Sequence, residues 1–444
     1  MAPTFEDLLH RAPANENPFR FVNELIEQAL HPSTPTCAAP ALVFFGIVYG
    51  ANILVCLAIL IIPLHRGPAS KKKYQTPWKS YYIVGSNVPY YIPNSGLFMA
   101  ILQLFTCVIS EIYVAMLYYS AKSPRFQRAT FALVWVEIRW LPMYLGIWST
   151  AWASFAFCLC SARSTLHRFL HFKPLVFNSF CFSFAILVFL LSIYWTVLQL
   201  SFLKAAYYQY DIFFKQIHSA IIQWDHNGGI DLPSSELNQL TESYDMYVRS
   251  SKATLKHTRS TYLFWTATAI PILTFYAISV WALLSLVLGC AKVASGQISV
   301  LEHFQSDISQ TDTESLRTST DFVIKPQERK ESLNGINGKY LRRKYINLVA
   351  QSSCLFFGLF FDTTVGIYRL ATGNQSILHQ KTRVIMTLLG FGGSLFIFLA
   401  MTIQCYYMIT EKKGQKILAV PTNEPTITQF PIQFRTSIER STSR

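Results

Sequence analysis

Seven long apolar stretches constrain this chain more than any other feature. They run over about 41–64, 96–119, 130–160, 175–203, 262–290, 345–371 and 384–409. A helix needs roughly 20 mostly apolar residues to cross about 30 Å of hydrocarbon, and each stretch is long enough. Lipid cannot satisfy a free backbone N–H or C=O, so a spanning segment must be a helix or part of a closed barrel. The alternating pattern of barrel strands is missing. The predicted fold is therefore all-α, a polytopic seven-transmembrane-helix bundle with the lipid bilayer as its first partner.

Composition agrees. Only 14% of residues are charged and 51% are hydrophobic, against roughly 25% charged in an ordinary soluble domain. The net charge of +14 comes from basic residues beside the spans, which serve to orient them. Nucleic acid is not an expected partner, since no basic stripe lies on a soluble fold. Eight of the nine cysteines lie inside apolar spans. That is the habit of small apolar fillers, not of a disulfide framework. The first 39 residues have no early apolar core, so the first span is expected to direct insertion itself.

Lys and Arg placement predicts the orientation. Arg66, Lys71, Lys72, Lys73 and Lys79, then Arg163, Arg168 and Lys173, then Arg342, Arg343 and Lys344, fall on one side of the bundle. If that side is cytoplasmic, residues 1–40 form an extracytoplasmic tail and residues 411–444 a disordered inner tail. Residues 292–344, polar and rich in Ser and Thr, form a disordered inner loop. Transmembrane helices 1–5 then occupy 41–291 and helices 6–7 occupy 345–410. The plasma membrane is favoured over an internal one. Asn374-Gln375-Ser376 is a weak glycosylation motif on the outer side.

The segment 205–260 reads differently. Tyr210, Phe214, Ile217, Ile221 and Trp224 recur at helical spacing, as do Leu237, Leu240, Tyr244 and Tyr247. Asn227-Gly228-Gly229 and Pro233 break the pattern between them. Spans four and five are thus expected to run on past the bilayer as an antiparallel helical hairpin, with its stripes packed on each other or on a partner.

Ionisable residues inside a bilayer are costly, so each suggests a role. There are four: Glu111 in span two, Glu137 and Arg139 in span three, and Asp362 in span six. Helical rise puts all four in the outer half of the membrane. Glu111 and Arg139 are placed to pair. Together with Trp140, Tyr144 and Trp148 the four would line an outward polar cavity; the plainer alternative is a buried structural ion pair. Gly46 and Gly50 form a GxxxG pattern that permits close helix approach. Gly390, Gly392 and Gly393 mark either a flexible point or a close contact.

No HExxH, GxSxG, P-loop or CxxC motif is present, and no metal or other cofactor is expected. The chain is read as a non-enzyme. Its layout of seven spans, an inner tail and a long polar loop between spans five and six resembles the G-protein-coupled receptors. Span three nevertheless ends in CLCSARSTLHRF and span seven in MTIQCYYMIT, without that family's usual triplet or NPxxY. The extended hairpin between spans four and five resembles the insect gustatory and odorant receptor channels. The leading expectation is a receptor-like protein whose outward pocket binds a small molecule or peptide and is coupled to a cytosolic signalling partner. The alternatives are an ion channel or transporter with intramembrane carboxylates lining its path, and a non-catalytic structural membrane protein.

Overall fold

A computed structural model describes residues 3–13, 16–30, 38–68, 74–82, 88–122, 131–160, 173–227, 233–294, 330–372 and 380–418. Seven helices long and apolar enough to cross a membrane are present among them. They are α3 (Ala38–His65), α4 (Ser95–Lys122), α5 (Phe131–Cys160), α6 (Pro174–His226), α7 (Ser234–Ala294), α8 (Lys330–Thr372) and α9 (Gln380–Leu418). Two short N-terminal helices precede them, α1 (Phe5–Leu9) and α2 (Pro18–Leu30). The chain is thus an all-α multi-pass membrane protein. Residues Met1–Cys405 form one compact unit, and Tyr406–Arg444 form a second. Within the second, the described part is the last stretch of α9.

The bundle is organised around α5. Its apolar window is 72% buried, against 22–44% for the other six, so this helix faces protein on most sides while the others present a face to lipid. Ile47, Leu54, Phe105, Ile186, Leu190, Val197 and Trp281 are exposed on those outer faces, where hydrocarbon replaces water as the contact. Between helices the glue is close packing and polar atoms, because lipid removes the hydrophobic drive for association. Trp148 donates its indole N–H to the Cys181 carbonyl at 3.1 Å, joining α5 to α6. Gln199 donates to Thr258 at 2.8 Å and Thr254 to the Phe202 carbonyl at 3.1 Å, joining α6 to α7. Tyr276 donates to the Ser352 carbonyl, joining α7 to α8.

One feature on the opposite side from the N-terminus was not expected. The segment between α3 and α4 carries a two-stranded antiparallel ribbon, β1 (Trp78–Tyr81) and β2 (Tyr90–Pro93), with Trp78 opposite Pro93 and Tyr81 opposite Tyr90. Gly67, with φ of +94°, ends the turn after α3 in a conformation that favours glycine. Trp78 packs on Phe98, Trp152 and Phe182 with ring centroids 5.2–5.3 Å apart. Asn178 pins the second strand, donating to the Pro89 carbonyl and accepting from the Tyr91 N–H. Asn94 then opens α4, accepting from the Leu97 N–H while its amide donates to the Tyr74 and Thr76 carbonyls.

The N-terminal 1–40 segment is more than a tail. Thr4 and Asp7 form a reciprocal capping box that starts α1. Asn17 caps α2 through the Phe19 and Arg20 N–H groups, with Pro18 in the first turn. The amide of Asn17 also donates to the Ile221 carbonyl and to Asp225, so one residue both starts α2 and fastens it to α6. Past the membrane, α6 and α7 pair as the expected hairpin. Phe5, Leu8, Phe19, Val22 and Ile26 cover it, meeting Tyr210, Phe213, Ile217, Ile221, Leu240 and Tyr244 in one buried cluster. The partner of the aromatic stripes is therefore the chain's own N-terminus. Sequence periodicity places the stripes but says nothing about what covers them.

Other boundaries shift too. Helix α7 runs to Ala294 and α8 begins at Lys330, so both ends of the 292–344 loop are helical where it was read as disordered. Residues 295–329, like the 419–444 part of the C-terminal tail and the motif at Asn374, lie outside the described residues.

Candidate functional site

The intramembrane charges do not meet as their depths suggested. Glu111 lies against α3 instead of Arg139: a Cβ placed on Gly46 or Gly50 would meet its carboxylate oxygens at 3.6 and 3.5 Å. The GxxxG pattern therefore makes room for an acidic side chain from α4. Among the described residues no ion pair joins Glu111 and Arg139, because α5 turns Arg139 toward α9 and α8. Its guanidinium donates to the Gly390 carbonyl at 3.1 Å and lies 5.1 Å from the Trp140 ring and 5.5 Å from the Phe391 ring. Glu137 is on α5, but its side chain lies outside the described residues.

Asp362 is 3% exposed and sits in the electrostatic field of Arg139 and Arg369. Glycines bring α9 close to it: a Cβ on Gly393 would fall 2.7 Å from Asp362 Oδ1, and one on Gly358 would fall 3.1 Å from the Gly393 carbonyl. The Gly390-x-Gly392-Gly393 run is thus a close contact, which settles the choice that the sequence left open.

Between α5, α7 and α8, near the ends from which the hairpin extends, is a small, partly open space with room for about one water molecule. Helical spacing gives each helix one wall. Helix α5 contributes Trp140 and Tyr144; α7 contributes Tyr262, Trp265 and Thr266; α8 contributes Asp362, Gly366 and Arg369. Residues at i, i+3, i+4 and i+7 share a helix face, so these positions converge. Gly366 lets α7 and α8 close on each other beside it, since a Cβ there would meet Thr266 Oγ1 at 2.8 Å.

The wall chemistry is distinctive. Asp362 Oδ1, Thr266 Oγ1 and Trp265 Nε1 are all buried and make no hydrogen bond to protein. Buried polar atoms are nearly always paired, and each left unsatisfied costs about 1–3 kcal/mol. Three residues with a buried polar atom unpaired within the protein thus line one space. Arg369 lies over the Tyr262 ring at 5.2 Å and adds a positive group to the wall.

Of the residues singled out from sequence, Trp140, Tyr144 and Asp362 line this cavity and Arg139 stands beside it through Trp140 and Asp362. Trp148 lies deeper, stacked on Phe184 at 4.1 Å, and Glu111 faces another helix pair. Tyr262, Trp265, Thr266, Gly366 and Arg369 were missed. Arg369 had a usable signal, as it follows Asp362 by two turns on the same face. The residues of α7 had none, because their relation to α8 is purely tertiary.

A second polar feature crosses the bundle. Tyr49 shares a hydrogen bond with Ser394 at 2.8 Å. Asn52 and Gln103 both donate to Cys107, and Cys56 approaches Asn52. Gln351 donates to Gln404, and Gln404 to the Gly96 carbonyl. These form a buried polar seam among α3, α4, α8 and α9. No group of three or more His, Cys, Asp or Glu able to hold a metal ion occurs among the described residues. Compared with known proteins, the chain matches no family model, no curated protein and no solved structure.

Proposed function

We propose that this multi-pass membrane protein is a receptor-like, non-enzymatic binder of a small polar molecule, seated between α5, α7 and α8. One observation carries the reading: Asp362, Thr266 and Trp265, each with a buried polar atom unpaired within the protein, line a single aromatic-walled space. As it stands the space has room for about one water molecule, so the helices must part to admit a ligand, and a small molecule fits better than a peptide. The coupling argument is mechanical. Helices α7 and α8 touch at Thr266 and Gly366 and run from there to their other ends at Ala294 and Lys330. An occupant that parts them at the cavity favours a different crossing of the two helices, and their far ends carry that change toward a cytosolic partner.

Spin labels at Leu288 and Lys344, near those far ends, test this in lipid nanodiscs. The reading expects the distance distribution to change when small polar compounds bind, and Thr266→Phe, which fills the cavity, to abolish both binding and change. Binding without any movement would leave a binder but end the receptor assignment. A second reading, channel or transporter, is favoured by the polar seam from Tyr49 to Gln404. Ion or solute flux in reconstituted vesicles, lost in Gln103→Leu, would select it over the first.

A further inference from the structure

We infer that the outer face of α7, where the helix leaves the bilayer, is a binding site for an anionic phospholipid of the surrounding membrane. The inference is independent of the space between α5, α7 and α8. Arg249, Lys252, Lys256 and Arg259 are all exposed. Their spacing keeps them on one side of the helix, in a column about 15 Å long by helical rise. None of them forms an ion pair with another described residue. Helix α7 has no Asp or Glu after Asp245, and α6 has none before Asp211. Neither limb of the hairpin base therefore carries a counter-charge.

Two hydrogen bonds set the level of this column. Gln199 on α6 donates to Thr258 on α7, and Thr254 donates to the Phe202 carbonyl. Lys256 and Arg259 thus stand level with Leu198–Phe202, where α6 is still apolar. Lys252 stands level with Lys204, the first cation of α6. Cations at that depth lie where acyl chains give way to headgroups, and long basic side chains reach the phosphates there. Below Arg259 the same face continues as Leu263, Ile270 and Ile278, which are 53%, 49% and 47% exposed. Ala267 and Thr274, small and exposed, lie between them. The apolar window of α7 is 22% buried, the lowest of the seven, so this face meets lipid. It passes from hydrocarbon to positive charge without a break, as a phospholipid passes from acyl chain to negative charge. The Arg259 guanidinium matches phosphate oxygens in a fork, and Lys256 adds a point charge. Lys252, one turn further out, suits a second negative group, such as the carboxylate of a serine headgroup. A choline headgroup would bring an ammonium there instead. An acidic soluble segment would match the cations but not the apolar stretch that continues from them.

The test places the full chain in nanodiscs of mixed phosphatidylcholine and phosphatidylserine and counts the lipids retained on the released protein by native mass spectrometry. Phosphatidylserine should be enriched over the disc composition by about 5- to 30-fold, the effect of one to two basic residues near a charged surface. Lys256→Gln combined with Arg259→Gln should remove most of that enrichment; both sites are exposed, so folding is spared. Arg11→Gln combined with Lys215→Gln makes the same change in net charge at exposed sites away from α7, and should leave the enrichment intact. No enrichment in the unaltered chain, or an equal loss in the two double variants, overturns the inference. Glycerophosphoserine, the headgroup without its acyl chains, should not displace the retained lipid. Displacement at matched concentration would assign the face to a soluble anion and overturn the lipid site. A nanodisc presents the same lipids on both sides, so the result does not depend on which side of the cell membrane bears the hairpin.

Discussion

The hairpin with its N-terminal cover and the membrane bundle are built on opposite physical terms. Outside the bilayer, water drives burial, and the region answers with large side chains. Phe5 meets Phe213 edge-on at 6.1 Å and Tyr244 at 5.5 Å, and Phe19 meets Trp224 at 5.9 Å. Its one cross-element ion pair among the described residues, Arg20–Asp225 at 2.8 Å, is half-exposed and worth little. Inside the bilayer there is no such drive between helices. There the contacts are made by Gly358, Gly366, Gly392 and Gly393, and by side chains that hydrogen-bond across helices. Large residues hold the first region together. The second also packs large rings, such as Trp148 on Phe184, and adds small residues that let backbones and polar groups approach.

Phe5→Ala gives the largest expected effect. Phe5 is 0% exposed at the centre of the hairpin cluster, and emptying such a site costs about 3–5 kcal/mol. The loss is capped by the energy that docks α1 and α2, so residues 3–30 should become protease-sensitive while the bundle keeps its Tm. A joint collapse of hairpin and bundle would show that the two regions do not differ in the way described. Gly393→Ala should act the other way round. Its Cβ would fall 2.7 Å from Asp362 Oδ1 and 2.9 Å from its carboxyl carbon, and overpacking of this kind costs about 1–3 kcal/mol. Gly46→Ala is the matched control, since its Cβ meets Glu111 at an ordinary 3.6 Å. The bundle Tm should fall for Gly393→Ala alone.

Alkaline pH sharpens the comparison with the smallest effect near neutrality. Burial raises the Tyr244 and Tyr247 phenols above their usual value of 10.0. The sign follows from linkage: a raised folded pKa contributes stability that is fully present below the unfolded value and lost as pH climbs through the folded one. Deprotonation also removes the O–H that Tyr244 donates to the Pro3 carbonyl. Proteolysis of residues 3–30 should therefore be unchanged from pH 7 to 9 and rise above about pH 10. In Tyr244→Phe, which lacks the ionisable group, that rise should be smaller.

Much of the architecture was readable beforehand, and the limits have physical causes. The hairpin stripes at Tyr210–Trp224 and Leu237–Tyr247 showed because helical periodicity is a local property. Their cover by Phe5, Phe19 and Val22 did not show, since two amphipathic faces identify each other only by meeting. The site was half visible. Asp362, Trp140 and Tyr144 stood out as polar or aromatic groups in apolar spans. Glu111 was misassigned because equal depth does not fix the direction a side chain faces around its helix.

Sequence alone determined that this chain crosses the membrane seven times, because the cost of an unpaired amide in hydrocarbon leaves a long apolar segment no other form. Tertiary structure decided which faces those helices turn to one another. That choice put Arg139 against Gly390 and gathered Thr266, Trp265 and Asp362 around one space. It depends on where glycines let backbones close in, a property of pairs of helices and not of any one of them.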